Sequence, residues 1–342
     1  MAGAVRVAVI GLVHEHVWTV VKQACALPYV DLVAAADPDP ESRARFGQET
    51  GCDAESLYGD PKELLDGETF HAVISGLLPV EHVALTELCA ERGLALLVAK
   101  PMATTLDEMD QIVTAVQRTD IPFMVDFPLL WSAPIREAVK RARDGEIGDV
   151  YEARYRVSQP RSGSPNGSPE YARWLYSPAH NSTGAYLDLC CYGAQVTSWL
   201  LGAPRSVMGA GGILANDELD VYDNAFLIAR YANAFAVSEA TWSSFGAQTP
   251  ATLELHGADG ILSVTGQMLV RFTSQHTVGV PVELDPLPEG ARNGVEHFCN
   301  AVRLAEPFAE PFTLGTTRRA HEIIEAGRRS IETGLECPLP VR

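Results

Sequence analysis

The stretch Val7–Val21, VAVIGLVHEHVWTVV, decides the fold of this chain. Its first residues extend a run, Val5–Ile10, apolar except for Arg6, of the kind expected from a strand buried on both faces. Gly11 ends the run, and the amphipathic segment His16–Leu27 then reads as a helix. The same phrase recurs outward from this point. Leu32–Ala36 is a second strand, followed by a helix at Glu41–Thr50. Phe70–Ser75, Leu94–Val98 and Phe123–Val125 are further apolar strands, separated by helical segments near Val80–Arg92 and Leu106–Thr119. Repeated strand and helix predict a doubly wound parallel sheet, an α/β domain over residues 1–126.

The pattern changes after Asp126. A helix with Pro134 in its first turn stops near Asp144-Gly145. Val150–Val157 then alternates, with Tyr151, Ala153, Tyr155 and Val157 on one side and Glu152, Arg154 and Arg156 on the other. One wet face points to an antiparallel or mixed sheet. Short strands follow at Phe226–Tyr231, Phe235–Trp242, Thr252–His256, Ile261–Val264 and Met268–Thr273, and helices at Tyr186–Leu201, Gly294–Leu304 and Thr317–Thr333. Residues 127–342 are therefore expected to form an α+β domain with a large, open, mainly antiparallel sheet. Ser158–Thr183, rich in Ser, Pro, Gly and Asn, reads as one long loop of the kind that carries function.

Composition narrows the function. With 342 residues the chain exceeds what one core usually organises. A formal charge of -18 argues against a nucleic-acid backbone as partner, since that surface demands clustered Lys and Arg. The start, MAGAVRVAVIG, runs straight into a strand with neither a basic leader nor an apolar span, so a cytoplasmic protein without membrane attachment is expected. Seven cysteines without a CxxC pair are neither a disulfide framework nor a zinc site.

A strand, a glycine turn and a helix stand where a Rossmann domain binds the pyrophosphate of a dinucleotide. The GxGxxG spelling keeps only Gly11, with Val13 at the second glycine position and His16 at the third. Asp37 ends the second strand, where a carboxylate accepts hydrogen bonds from an adenosine ribose and repels a 2′-phosphate. NAD is therefore expected over NADP. The alternative is that Asp37, in ADPDPE, begins a turn or caps the next helix. His14-Glu15-His16 lacks a third or fourth ligand nearby, so hydrogen bonding to phosphate or helix capping is expected rather than a metal.

The chain resembles the Gfo/Idh/MocA oxidoreductases over nearly its whole length. HAVISGLLPVEHVALTELCAERGLALLVAKPMATTLDE, residues 71–108, is similar to the family's strand, Pro-containing turn, His, helix and Glu-Lys-Pro strand end. His82 and Pro79 match, Leu78 stands where a first proline is usual, and Ala99 replaces the acid before Lys100-Pro101. STGAYLDLCCYGAQVTSWLLGAP, residues 182–204, resembles the Asp-xxx-His helix: Asp188 matches the acid, Tyr192 takes the His place as in dihydrodiol and xylose dehydrogenases, and Gln195 replaces a second acid. LHGADGILSV, EHFCNAVRLAEPF and AHEIIEAGRRSIETG match further on and carry no chemistry. The resemblance implies a homodimer or homotetramer formed through the open face of the second sheet.

These matches assign roles. Gly11, Leu12, Val13, His14, Asp37, Ser75, Pro79, His82, Lys100 and Pro101 are expected around the dinucleotide. Oxidising an alcohol needs hydride transfer to the nicotinamide and a positioned base for the hydroxyl proton. Lys100, just past a buried strand, is the expected acid/base, its pKa lowered by burial. Asp188 and Tyr192, four apart, share one face of a helix, where Tyr192 relays the proton and Asp188 holds a substrate hydroxyl or orients the lysine. Their structural alternative is helix packing with a buried hydrogen bond. Arg161, Arg173, Trp174, His180 and Asn181 are expected to line a sugar or cyclitol; each has a solvated or packing role as its alternative. Cys190-Cys191 is expected to pack as small hydrophobes. The function expected is hydride transfer between a nicotinamide and a sugar, cyclitol or related hydroxylated molecule. Two alternatives keep the scaffold: an NAD-dependent glycosidase or epimerase-like enzyme that oxidises only transiently, and a non-catalytic cofactor-binding sensor.

Overall fold

The computed structural model describes residues 3–12, 16–160, 169–181, 183–244 and 252–341. Along the chain the elements are β1 (Val5–Ile10), α1 (His16–Cys25), β2 (Val30–Ala36), α2 (Pro40–Thr50), β3 (Leu57–Tyr58), α3 (Pro61–Gly67), β4 (Ala72–Ser75), α4 (His82–Glu91), β5 (Ala95–Ala99), α5 (Leu106–Thr119), β6 (Phe123–Asp126), α6 (Ala133–Arg143), β7 (Val150–Pro160), α7 (Pro169–Leu175) and α8 (Ala185–Leu201). There follow β8 (Ser206–Gly212), β9 (Asn224–Arg230), β10 (Phe235–Ser244), β11 (Thr252–Gly257), β12 (Gly260–Thr265), β13 (Met268–Thr273), β14 (His276–Pro281), α9 (Gly294–Leu304), α10 (Leu314–Thr333) and β15 (Cys337–Pro338). Two compact units result. The first comprises Met1–Asp126, Asn166–Trp174 and Pro288–Leu314; the second comprises Phe127–Pro165, Leu175–Leu287 and Gly315–Arg342.

The first unit holds a six-stranded sheet of order β3-β2-β1-β4-β5-β6, parallel throughout. Its strands are apolar on both sides because both sides are covered: Val7, Ala8, Val9, Ile10, Val73, Leu96 and Val98 are all buried. Between β1 and β4 the strand order reverses, which makes their carboxyl ends the place where an open α/β sheet takes a ligand. Helix starts are set locally. Asp39 caps α2 by accepting from Ser42 N–H, and Thr105 with Glu108 forms a reciprocal capping box at α5.

The second unit holds a nine-stranded sheet of order β14-β13-β12-β11-β7-β10-β9-β8-β15. It is mixed: β7 and β10 run parallel and the other neighbours antiparallel. Ala225, Leu227, Ala229, Ala236 and Ala240 are buried on the face under α8. Small residues let the helix lie close. A side chain added at Gly193 would collide with Ser238, and Cys190 packs there as a buried thiol whose pKa is driven far up by burial. Ladder partners Met208 and Ile228, with Phe226 and Phe235, are left exposed on the opposite face.

The long loop expected at Ser158–Thr183 is a different object in the described residues. β7 continues to Pro160 because Thr241 and Ser244 of β10 still pair with Ser158 and Pro160, and α7 starts on Pro169, where a helix loses no hydrogen bond to proline. β8 carries no apolar alternation to read. Gly209 and Gly211 stand in it because Gly327 and the Tyr222 ring occupy the space a side chain would need. Tyr151, expected on the buried side of β7, is exposed, while Ala153, Tyr155 and Val157 are buried as expected.

Candidate functional site

In the first unit the candidate residues gather at the ends of β1, β2 and β4. Gly11 has φ 85°, a left-handed conformation that glycine adopts without strain. Its N–H donates to Ala36 O at 2.8 Å, and a Cβ on it would lie 2.7 Å from Leu77 N. Gly76, immediately after β4, faces it: a side chain there would collide with the Gly11 carbonyl oxygen. Two bare Cα atoms thus meet at the switch point. Sequence reasoning identified Gly11 and missed Gly76, whose signal is its position directly after a buried strand. Val13 and His14 lie outside the described residues.

Asp37 is 1% exposed. Its Oδ2 accepts the Leu12 N–H at 2.6 Å and its Oδ1 accepts the Asp39 N–H at 2.8 Å, so one carboxylate ties the β1–α1 turn to the end of β2. Burial raises its pKa against the pull of those two N–H donors and of Arg43. The alternative role, at a turn, is therefore present. It leaves room for a second one, because a carboxylate offers about four acceptor sites.

Ser75 is buried, and its Oγ accepts from Leu77 N–H at 3.2 Å, while Pro79 is buried at the entry to α4. His82 is 0% exposed, and its Nδ1 meets the Met102 carbonyl at 3.0 Å. A carbonyl only accepts, so Nδ1 carries the proton. A ring this enclosed holds the segment after Lys100-Pro101. Burial depresses its pKa to about 4, against the opposing pull of the Met102 and Leu77 carbonyls.

Lys100 follows β5, is 6% exposed, and its N–H donates to Asp126 O at 3.1 Å. Asp126 is a second buried acid that sequence reasoning passed over. It pairs with Ala99 across β5 and β6, and its carboxylate stands against the Cα of Gly294 at the start of α9, where any side chain would collide.

The second unit carries Asp188 in the first turn of α8 and Tyr192 one turn on, both buried. Tyr192 packs edge-on to Phe127 with ring centroids 5.8 Å apart. Asp188 Oδ2 accepts the indole N–H of Trp242 at 3.3 Å. Tyr176 meets that indole at 5.5 Å, edge to face, and its phenol pKa is raised by burial and then by the Asp188 charge. Sequence reasoning named neither aromatic.

The expected substrate residues differ in exposure. Arg161 lies outside the described residues, and Arg173 and His180 are exposed. Trp174, in the first unit, is 1% exposed and offers no open ring face. Asn181 is also 1% exposed; its Nδ2 donates to Leu175 O at 2.8 Å, which pins the turn after α7. A polar composition marked the region without separating core from surface.

Comparison with known proteins bears on both units. Residues 5–127 match the model of an oxidoreductase family with an NAD-binding Rossmann fold, and residues 135–263 match that of the GFO/IDH/MocA C-terminal domain. Levoglucosan dehydrogenase of Pseudarthrobacter phenanthrenivorans is 27% identical over 69% of this chain and 64% of its own length. The NAD(+) scyllo-inositol 2-dehydrogenase of Bacillus subtilis is 27% identical over 65% of this chain and 61% of its own. The chain thus spans less than two thirds of either relative. Among solved structures, an inositol dehydrogenase homolog from Azotobacter vinelandii superposes with a TM-score of 0.85 at 18% identity, covering 99% of this chain and 98% of that one. Aldose-aldose oxidoreductase from Caulobacter crescentus gives 0.83 at 18%, covering 98% and 100%. No helix among the described residues is long and apolar enough to cross a membrane.

Proposed function

The chain belongs to the Gfo/Idh/MocA family of oxidoreductases, and from that premise we propose that it transfers a hydride between NAD(H) and a ring hydroxyl carbon of a sugar, cyclitol or related polyol. The observation that carries this reading is Lys100: a lysine buried at the carboxyl edge of a parallel Rossmann sheet, beside a switch point built from two bare glycines.

The turn fits a dinucleotide. Gly11 and Gly76 let the chain leave β1 and β4 in close approach at the strand ends where a pyrophosphate would lie, and Asp37 holds the Leu12 amide in place. Gly11, Leu12, Ser75 and Pro101 would border the cofactor, and the Asp37 carboxylate would meet an adenosine ribose, disfavouring a 2′-phosphate. When bound, NAD supplies the hydride acceptor and NADH the donor. Lys100 takes the proton from the hydroxyl being oxidised, or returns it in reduction. Asp188 accepts a hydrogen bond from a substrate hydroxyl and Tyr192 relays the proton. His82 acts at one remove, holding Met102 and thereby the backbone that carries Lys100. In solution the protein is a homo-oligomer closed through Met208, Phe226, Ile228 and Phe235, the exposed apolar side chains of the second sheet.

Titration with NADH, read by its fluorescence, tests the reading first. No binding at millimolar concentration overturns it. Sugars and cyclitols screened with NAD and with NADP then identify the substrate. A substrate consumed without net change in nicotinamide absorbance points instead to transient oxidation.

A further inference from the structure

Trp242 and Asp188 are 54 positions apart in sequence, yet the indole N–H reaches the carboxylate Oδ2 at 3.3 Å and both side chains are almost fully buried. The mounting around them is closed. The carbonyl of Tyr222 accepts the Ala185 N–H at 2.8 Å and lies so near Gly184 that no side chain fits there, which fixes the start of α8 one turn before Asp188. The carbonyl of the next residue, Asp223, accepts the backbone N–H of Trp242 at 2.7 Å. Asp223 is itself immobilised: its buried carboxylate accepts from the N–H groups of Leu214, Ala215 and Asn216, each at 2.8 Å. One two-residue segment therefore sets both the helix that carries the acid and the strand that carries its donor.

A hydrogen bond from an indole has one direction, because the ring is planar and its N–H cannot rotate. A buried indole held this way sets the plane of the carboxylate it bonds. Tyr176 closes the corner, edge-on to the same indole. We propose that Trp242 is a positioning residue for Asp188, aiming the carboxylate at a hydroxyl of a ring polyol; this rests on the proposed function above.

Two measurements on the full-length protein separate this from mere packing. In a spectrum of the 15N-labelled indoles, W242F identifies the Trp242 resonance, and D188A is expected to move that resonance upfield because the acceptor is lost. In turnover of a polyol found by the screen, W242F keeps an aromatic ring and loses the donor. It is expected to raise KM roughly tenfold, the scale of a hydrogen bond to a charged group, with NADH affinity unchanged and the melting temperature lowered by the lost buried contact. An indole resonance unmoved by D188A overturns the bond. A W242F enzyme with wild-type KM and kcat, while D188A loses turnover, overturns the positioning role. If the wild type binds no NADH and turns over no polyol, the enzymatic reading fails, while the resonance still decides whether the indole holds the acid.

Discussion

Replacing Asp37 by Ala removes two acceptors at once. The Leu12 N–H, buried with its residue 1% exposed, loses Oδ2 at 2.6 Å, and the Asp39 N–H loses Oδ1 at 2.8 Å. The two losses differ in weight. Asp39 lies near the surface, so water takes over its N–H, whereas an unpaired buried N–H costs about 1–3 kcal/mol. The destabilisation therefore concentrates at Leu12, at about 2 kcal/mol. Local opening of the turn by that amount corresponds to roughly thirtyfold faster amide exchange.

Global melting is the wrong readout, because burial opposes ionisation of Asp37 and its removal also relieves a desolvation cost. The assay is hydrogen exchange of the Leu12 amide, measured by NMR in wild type, D37N and D37A. D37N is expected to fall between the two, since its amide oxygen accepts one N–H and its NH2 end accepts none. NADH affinity should fall alongside exchange protection if the ordered turn is what binds pyrophosphate. Leu12 exchange within threefold of wild type in D37A refutes the clamp. NADH affinity that falls while Leu12 stays protected reassigns Asp37 to the ribose alone.

Lys100→Met, which keeps the stem and removes the ammonium, is expected to lower kcat about 10²–10⁴-fold with NADH affinity retained; a loss below tenfold would mean that another group carries the proton. His82→Gln tests the depressed histidine. A ring whose folded pKa of about 4 lies below its ordinary 6.5 binds its proton less well folded than unfolded, so wild type loses stability as pH falls from 6.5 toward 4. H82Q removes that slope, and the urea-unfolding gap between the two proteins should narrow by roughly 2–3 kcal/mol over that range; a constant gap refutes the assignment. Asp223 has the opposite sign to Asp37. Burial raises its pKa, but the N–H groups of Leu214, Ala215 and Asn216 and the Asn224 amide outweigh that and hold it low. Its contribution is complete above the ordinary carboxylate range and lost as pH falls through the folded value. D223A should therefore melt well below wild type at neutral pH, and the two should converge in acid.

The fold could be read wherever burial leaves a repeating mark. β1, β4 and β5 are covered on both sides and appear as runs that are apolar but for Arg6 and Ser75, and α5 announces its start through Thr105 and Glu108. β8 could not be read, because its glycines answer to neighbours distant in sequence, Gly327 and Tyr222. The candidate site divides the same way. Lys100, Asp188 and Tyr192 stand in recognisable local phrases. Trp242 sits on β10 with nothing nearby to connect it to an acid in α8, and Gly76 gains its meaning only beside Gly11. Asn181 and Trp174 share the polar loop with Arg173 and His180, and composition cannot tell which side chain turns inward.

The altered glycine turn follows from the same physics. Just past the ends of β1 and β4, Gly11 and Gly76 approach so closely that a Cβ on either would collide with the other's backbone, so only bare Cα atoms fit. Gly11 and Gly76 supply one from each strand, so the requirement is met across the sheet rather than along the turn. The remaining task is to keep the turn from relaxing outward. Here Asp37 reaches from β2 to hold the Leu12 amide. Three neighbouring strands thus meet at Gly11 and Leu12, and the consequence is a Leu12 amide whose order depends on a buried carboxylate.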